Sequence, residues 1–237
     1  MSERYCIFYL DLCGEALFKR GWRRDKGEAP LKENMAAGLL KIAGWTPEMP
    51  LTDPFCGSGT VAIEAALTAT NTAPGLNRRF LFENWVNFDK DAWQAAVNRH
   101  ATVKIAASDI STIVVGKARE NAERAGLAAM LEDGRLTFTQ CDARAVTPCA
   151  DHGLVIANPP YGEQSNPKSA SVAAMMKDVS DNLKHNFAGW TAWLLTSDRQ
   201  LPRQMRLSES RKVPLYNGPL ECRFFRFDLV AGSYRKA

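Results

Sequence analysis

The tetrapeptide Asn158-Pro159-Pro160-Tyr161 contains the residue types needed to hold an aromatic amine in a reactive geometry. An exocyclic amino group on a purine is a weak nucleophile, because its lone pair is delocalised into the ring. The Asn158 side-chain oxygen and the Pro159 carbonyl can each accept one amine hydrogen, which directs the nitrogen lone pair at an electrophile. The prolines fix the backbone, and Tyr161 offers a flat face to an extruded base. We interpret these four residues as the candidate catalytic residues.

A glycine-rich turn, Asp53-Pro-Phe-Cys-Gly-Ser-Gly-Thr60, lies further upstream between a predicted strand and a predicted helix. Glycines there let a ligand approach the backbone, and the turn also satisfies the nicotinamide pattern G-x-G-x-x-A through Ala62. However, a carboxylate at Asp53 would repel a pyrophosphate and attract the ammonium group of a methionine moiety. No acidic residue closes a second strand about twenty residues on, and no Gly-Lys-Ser/Thr follows to make a P-loop. The turn therefore favours S-adenosylmethionine over a nicotinamide cofactor.

Two more carboxylates follow the next two predicted strands of the unit. Asp109 can accept both hydroxyls of a ribose, and Asp142 can accept an adenine amino group, with Ala143 leaving room for the ring. Either carboxylate alone could simply cap a helix. Three carboxylates at successive strand ends indicate a ligand site, because ligands of open α/β sheets bind at that edge. The candidate cofactor-binding residues are Asp53, Cys56, Gly57, Gly59, Thr60, Asp109, Ile110, Asp142, Ala143 and Asn158.

The elements that would position these residues alternate between strand and helix. Strands are predicted at 51–54, 104–109, 135–141, 154–157 and 191–196, and helices at 31–43, 60–70, 111–125 and 172–186. Residues 71–101 form an insertion with a helix at 92–99. The chain begins with a hairpin (5–12 and 15–22) and ends with another (212–216 and 222–230) around Asn217-Gly218.

This order of elements predicts an α/β fold of the Rossmann-like class I methyltransferase type. Its sheet should be twisted and mainly parallel, with a terminal antiparallel hairpin. A small hairpin-plus-helix segment should precede it. We assign residues 1–45 to that segment, packed on the core, and residues 46–237 to the methyltransferase domain.

Composition excludes several classes of protein. The 237 residues carry a net charge of +4, and 46% are hydrophobic, which fits a globular chain. Neither an export signal nor an apolar run long enough for a membrane span is visible. The six cysteines form no C-x-x-C pair and the three histidines are scattered, which argues against a metal site and a disulfide framework. We therefore expect reduced thiols, a cytoplasmic location, and no metal or membrane partner.

Basic residues cluster in front of the glycine turn. Lys19, Arg20, Arg23, Arg24 and Lys26 place five positive charges within eight residues. A charge run is often only a solvated face. Beside an amine-methylating site, it is also typical of a surface that contacts RNA phosphates.

Taken together, the motifs resemble the methyltransferase domain of the THUMP-associated RNA methyltransferases, in particular the bacterial 23S ribosomal RNA guanine-N2 methyltransferases. The resemblance covers nearly the whole chain. Its residues are Leu10 to Gly14, Lys19 to Arg23, Ala29 to Glu33, Asp53 to Thr60, Ile63 to Ala65, Ala73 to Gly75, Asn158 to Gly162 and Asn217 to Leu220.

The resemblance implies roles for individual residues. In the family, the positions matching Asp53, Gly57, Gly59, Asp109 and Asp142 hold the cofactor, and those matching Asn158 to Tyr161 receive the amine. The RNA-gripping THUMP domain normally precedes a segment like residues 5–43, and this sequence has no room for it. A longer native chain could supply that domain.

The sequence thus predicts transfer of a methyl group from S-adenosylmethionine to guanine N2 of 23S ribosomal RNA. Methylation of adenine N6 on DNA or RNA is the first alternative, since the tetrapeptide serves that amine equally well. An RNA-binding or assembly module with an inactive site is the second. The intact Asp53, Asp109, Asp142 and Asn158 argue against the second, because mere binding does not require all four.

Overall fold

Seven strands and seven α-helices form the part of the chain that the structure describes. The computed structural model describes residues 6–24, 31–95, 103–160 and 169–230; for 93–95 and 169–171 it describes the backbone alone. The strands are β1 (Leu51–Asp53), β2 (Ile105–Asp109), β3 (Leu136–Gln140), β4 (Leu154–Ala157), β5 (Thr191–Thr196), β6 (Arg211–Asn217) and β7 (Leu220–Asp228). The helices are α1 (Glu33–Ala43), α2 (Thr60–Ala69), α3 (Lys90–Ala95), α4 (Thr112–Arg124), α5 (Ala128–Glu132), α6 (Ser169–Asn186) and α7 (Leu201–Met205), with a 3₁₀ helix at Leu81–Asn84.

The strands form one mixed sheet in the order β3-β2-β1-β4-β5-β7-β6. Strands β1 to β5 are parallel, and β7 runs antiparallel to both β5 and β6. The chain moves outward from β1 through β2 to β3, and then crosses back to β4 on the other side of β1. This reversal between β1 and β4 opens a crevice at the carboxyl ends of the strands, where ligands of such sheets bind. The predicted fold class is confirmed.

The centre of the sheet is buried on both faces. All four residues of β4 are buried, as parallel strands covered by helices on both sides require. Helix α2 is rich in alanine, and nine of its ten residues are buried, so it packs closely against the sheet. The helix thereby fixes the glycine turn that immediately precedes it.

The N-terminal hairpin prediction is wrong for the described residues, because 6–24 contain no strand. The carbonyl oxygens of Cys13, Glu15, Ala16 and Lys19 accept hydrogen bonds from the Arg78 guanidinium instead of from a neighbouring strand. A single side chain of the insertion thus satisfies backbone groups that a hairpin would have paired. The part of this segment next to α1 is nonetheless anchored, because Trp22 is buried in the core.

Other elements differ from prediction mainly at their ends. Helix α3 begins at Lys90 rather than at 92. The Asp89 carboxylate just before it accepts the Ala92 N–H at 2.9 Å. The predicted continuation from 96 to 99 lies outside the described residues. The short helices α5 and α7 were not predicted. The terminal hairpin is confirmed, with Asn217 paired to Leu220 across a two-residue turn. Within the described residues, no helix combines the length and apolar character that a membrane span needs.

Candidate functional site

The two glycines of the turn after β1 have different surroundings. Both adopt the left-handed conformation, with φ of 52° at Gly57 and 88° at Gly59. A Cβ on Gly57 would meet nothing within 4 Å, whereas a Cβ on Gly59 would lie 3.1 Å from both Ala118 and Phe138. Gly57 therefore borders open space that a ligand can enter. The packing of α4 and β3 against the turn requires glycine at position 59, which makes Gly59 a structural residue first.

Asp53 ends β1 and is almost completely buried, with 2% of its surface exposed. Its carboxylate accepts the Phe55 N–H at 3.2 Å. Burial raises the pKa of this carboxyl to about 8, and the nearby negative charge of Asp109 adds to the rise, while the Phe55 hydrogen bond lowers it. A buried acid without a cation partner among the described residues is suited to receive a positively charged ligand group. The predicted ammonium of a methionine moiety is such a group.

Asp109 ends the neighbouring strand and is bonded to the same turn. Its carboxylate accepts the Gly57 N–H at 3.1 Å and the Ser111 N–H at 3.0 Å, one on each oxygen. Each oxygen keeps lone-pair capacity for a further donor, so the predicted contact with a ribose is compatible with this geometry. Ile110 follows with 65% of its surface exposed, and its apolar side chain could cover one face of a base.

The Cys56 thiol and the Thr60 hydroxyl, both assigned to the cofactor from sequence, have internal partners. Cys56 is buried, and burial together with the charges of Asp53 and Asp109 raises the pKa of its thiol well above the ordinary value. Its N–H donates to the Ser108 carbonyl at 2.9 Å, which ties the turn to β2. The Thr60 hydroxyl accepts a hydrogen bond from Arg23 at 2.6 Å. Both residues shape the turn, and their direct contact with a cofactor stays a prediction.

Asp142 follows β3 and pairs with a neighbour in sequence. The Arg144 guanidinium donates to both of its carboxylate oxygens, at 2.6 to 3.1 Å, and the Arg144 N–H donates to one of them at 2.9 Å. These bonds lower the pKa of the Asp142 carboxyl. Ala143 is buried, and its carbonyl accepts from Asn182. The side chain of Asp142 therefore reaches an adenine amine only if it shares its oxygens with Arg144.

The tetrapeptide Asn158 to Tyr161, predicted to bind the amine, begins immediately after β4. Asn158 and Pro160 are half-buried and Pro159 is buried. Because β4 lies next to β1, Asn158 sits at the same edge of the sheet as Asp53. Tyr161 lies outside the described residues, so its predicted stacking role stays a prediction.

Arg23, predicted to contact RNA phosphates, instead makes internal contacts. Its guanidinium donates to the Glu33 carboxylate at 2.8 Å, to the Ser58 hydroxyl at 2.9 Å and to the Thr60 hydroxyl at 2.6 Å. Only 9% of the side chain is exposed. Arg23 therefore joins the N-terminal segment, α1 and the glycine turn from within.

The predicted RNA-contact residues thus fall into two groups. Arg20, with 12% of its side chain exposed, also forms an ion pair with Glu64 at 3.3 Å. The assignment of Arg20 and Arg23 to phosphate contacts is corrected on this ground, since their guanidinium groups serve internal carboxylates. Lys19 is half exposed beside Glu15, Arg24 is exposed, and Lys26 lies outside the described residues.

In the part of the chain that the structure describes, no three His, Cys, Asp or Glu side chains come together as a metal site would require. The candidate cofactor site consists of strand-end carboxylates and glycine backbone.

The parallel sheet with its terminal antiparallel hairpin and its strand-end site defines a class I methyltransferase domain. A model of UPF0020, the RMKL-like methyltransferase domain, matches residues 20–226. The chain belongs to this family.

Two curated relatives illustrate the match. The chain is 40% identical to ribosomal RNA large subunit methyltransferase K/L of Shewanella baltica, over 96% of its own length and 33% of the relative's. It is 38% identical to YpsC of Bacillus subtilis, whose name describes an RNA methyltransferase, over 93% of its own length and 57% of the relative's. The chain thus spans a third to somewhat over half of these proteins.

Solved structures give the same fold. SMU.472, described as a methyltransferase and crystallised in complex with SAH, is 31% identical with a TM-score of 0.81, over 94% of this chain and 58% of that one. A protein from Listeria monocytogenes, described as a predicted N6-adenine-specific DNA methylase, is 33% identical with a TM-score of 0.79, over 92% and 57% of the two chains.

Proposed function

We propose that this domain transfers a methyl group from S-adenosylmethionine to an exocyclic amine of a nucleic-acid base, and specifically to guanine N2 of 23S ribosomal RNA. One observation carries the proposal. The amine-binding motif at the end of β4 and the buried Asp53 at the end of β1 lie on adjacent strands, at the sheet edge where the strand order reverses. A methyl donor held by β1 and β2 therefore faces an amine held after β4.

S-adenosylmethionine is the cofactor that fits the residues present. SMU.472 was crystallised with SAH, which is S-adenosylmethionine after loss of its methyl group. In this chain Asp53 would receive the amino group, the open side of Gly57 would receive the backbone of the ligand, and Asp109 would receive the ribose hydroxyls. The bound cofactor supplies a methyl group on a positively charged sulfur.

The residues of the chain then need only position the amine. The Asn158 side-chain oxygen and the Pro159 carbonyl each accept one amine hydrogen, which concentrates the nitrogen lone pair on the side facing the methyl group. The nitrogen–carbon bond forms as the carbon–sulfur bond breaks, and one amine proton leaves to solvent. No strong base is required, because the leaving group is a neutral thioether.

The choice of guanine N2 is supported by relatives and not by the tetrapeptide. The resemblance to guanine-N2 methyltransferases and the name of the Shewanella relative support ribosomal RNA as the substrate. The Listeria structure, described as an adenine-specific methylase, favours adenine N6 as the second candidate.

Replacing Asn158 by alanine tests the proposed chemistry. Asn158→Ala removes one of two amine acceptors, so methyl transfer to large-subunit ribosomal RNA should fall about a hundredfold, while calorimetry shows nearly unchanged cofactor affinity. Asn84→Ala, at an exposed asparagine of the insertion, should leave both unchanged.

Mass spectrometry of nucleosides from the methylated RNA identifies the product. N2-methylguanosine supports the proposal. N6-methyladenosine alone would replace it with the second candidate. Cofactor binding without methyl transfer to any RNA would favour the non-enzymatic module.

A further inference from the structure

A cavity of about 570 Å³ opens beside the amine-binding motif, at the carboxyl ends of β4 and β5. Pro159 and Pro160 form part of its wall, and the segment from Thr196 to Leu201 forms another part. The cavity is several times larger than a purine base, so it can receive an extruded nucleotide together with part of its sugar. Its position places any such base next to the amine acceptors.

The cavity has an apolar side and a polar side. Val172, Met176 and Leu201 contribute apolar surface, while Asp198 and Gln204 contribute polar groups. An apolar wall with a few fixed polar groups is the usual composition of a site for a small planar ligand. The polar groups would then decide which purine is accepted.

Asp198 is held in a fixed orientation as a hydrogen-bond acceptor. Its Oδ1 accepts the Gln200 N–H at 2.7 Å, and its Oδ2 accepts the Gln204 side-chain amide at 2.6 Å. Its own N–H donates to the Thr196 hydroxyl at 3.0 Å. Each carboxylate oxygen can still accept a further hydrogen bond.

The negative charge of the second carboxylate of the cavity, Glu221, is already balanced by ion pairs. Glu221 pairs with Arg199 at 2.9 Å and with Arg223 at 2.6 Å. Asp198 has no ion-pair partner within the described residues. Of the two carboxylates, Asp198 is therefore the one free to accept from a base.

Guanine and adenine differ at the ring nitrogen next to the amine. Guanine carries an N1–H donor beside its N2 amine, whereas adenine carries an N1 lone pair beside its N6 amine. A carboxylate at that place accepts the guanine N1–H and repels the adenine N1, so it discriminates between the two bases.

We propose that this cavity receives the extruded base and that Asp198 is the specificity-determining residue, accepting the guanine N1–H beside the reacting amine. The proposal rests on the proposed function and identifies its base-reading group. It also explains why a tetrapeptide that serves either amine can be selective. Gln204 holds Asp198 in place and is a positioning residue.

The substitution Asp198→Asn tests the proposal without removing the side chain. Asparagine keeps the oxygen that accepts the Gln200 N–H, so the turn before α7 should persist. Its amide can donate to the adenine N1. With 23S ribosomal RNA, the rate of N2-methylguanosine formation should fall roughly ten- to a hundredfold. The ratio of N6-methyladenosine to N2-methylguanosine in the product should rise. Asp151→Asn, at an exposed aspartate before β4 on the opposite edge of the sheet, is the matched control.

A binding measurement gives a readout independent of methyl transfer. Saturation-transfer NMR with the SAH-bound protein should show binding of guanosine 5′-monophosphate in preference to adenosine 5′-monophosphate, and Asp198→Asn should abolish that preference. Equal binding of the two nucleotides, binding of neither, or a preference that survives the substitution would each overturn the role of Asp198. If wild-type protein makes only N6-methyladenosine, the guanine assignment itself fails; if it makes N2-methylguanosine and Asp198→Asn does so equally well, only the present inference fails.

Discussion

Asp53 is buried, and with the cofactor role proposed for it, its protonation should govern cofactor affinity. The raised pKa, about 8, means that the carboxyl is neutral at pH 7 in the cofactor-free protein. Pairing with an ammonium group requires the charged form, so binding must release the proton whenever the pH is below 8. The cost of that release grows by about 1.4 kcal/mol for each pH unit below the pKa.

We therefore expect the affinity for S-adenosylmethionine to rise by up to about tenfold per pH unit between about pH 6 and 8, and to level off above that range. Isothermal titration calorimetry in buffers of different ionisation enthalpy should detect the released proton. Asp53→Asn should bind the cofactor weakly and without this pH dependence. A wild-type affinity that does not change with pH would contradict the assignment.

The same shift has a consequence for stability, with a defined sign. The folded protein keeps a proton on Asp53 up to about pH 8, while an unfolded chain loses it near the ordinary aspartate pKa of 3.8. The folded state therefore binds more protons in this window, and the contribution of Asp53 destabilises the cofactor-free protein progressively as pH rises from about 4 to 8. A bound cofactor would place its positive ammonium group beside the Asp53 carboxylate and so offset this loss of stability.

At the scale of elements, the strands and helices around the site were predictable because each depends on local pattern. The apolar run at 154–157 and the alanine-rich stretch after the glycine turn lie in the expected elements, β4 and α2. Strand-end carboxylates could be located for the same reason. The roles of Arg20 and Arg23 could not be predicted. A basic cluster has the same sequence pattern whether its partners are phosphates or the distant Glu64 and Glu33.

The N-terminal hairpin was mispredicted for a related reason. A short apolar segment followed by a turn does not show whether a second strand or a side chain elsewhere will satisfy its backbone. Here the Arg78 guanidinium, 59 to 65 residues away, does so. Asp198 was not predicted as a site residue, because nothing near it in sequence indicates that β5 ends beside the proposed amine-binding motif.

Arg23 connects three elements, and its removal should affect both stability and cofactor binding. Arg23→Met leaves the buried Glu33 without its partner. The free energy of unfolding, measured by urea denaturation, should therefore fall by about 3–5 kcal/mol. Cofactor affinity should also fall, by about tenfold, because Ser58 and Thr60 lose their anchor.

Adding Glu33→Gln separates the two effects of Arg23→Met. The double variant no longer buries an unpaired charge, so part of the stability should return while cofactor affinity stays low. Recovery of both would show that Arg23 acts on stability alone. Arg135→Met, which breaks a more exposed ion pair with Asp133, should change neither property noticeably.

At the scale of the whole molecule, the proposed function assigns contacts with RNA to the exposed cations next to the site. Lys19 and Arg24 remain accessible on the segment that Arg23 attaches to the glycine turn. Phosphate contacts by such residues give binding that depends on salt and not on base sequence.

We expect the domain to bind ribosomal RNA weakly and with strong salt dependence. Replacing Lys19 and Arg24 together by alanine should weaken binding to all RNAs alike and flatten the slope of log affinity against log salt by about 1.5 to 2. Filter binding across a salt series measures both quantities. Lys104→Ala, an exposed lysine before β2 at the opposite edge, should leave the slope unchanged; an equal loss in that variant would show that the contacts are not localised.

The bonds between Arg78 and the N-terminal segment also constrain how the chain matures during synthesis. Residues 13 to 19 leave the ribosome before Arg78, and the guanidinium that satisfies their carbonyls follows 59 to 65 residues later. At translation rates of about 5–20 residues per second, this interval lasts about 3 to 13 seconds. During that time the apolar side chains of Ile7, Phe8 and Leu10, which stay largely exposed even in the folded protein, have no ordered segment beside them. This stretch of the nascent chain therefore stays open to chaperones until the insertion has been made.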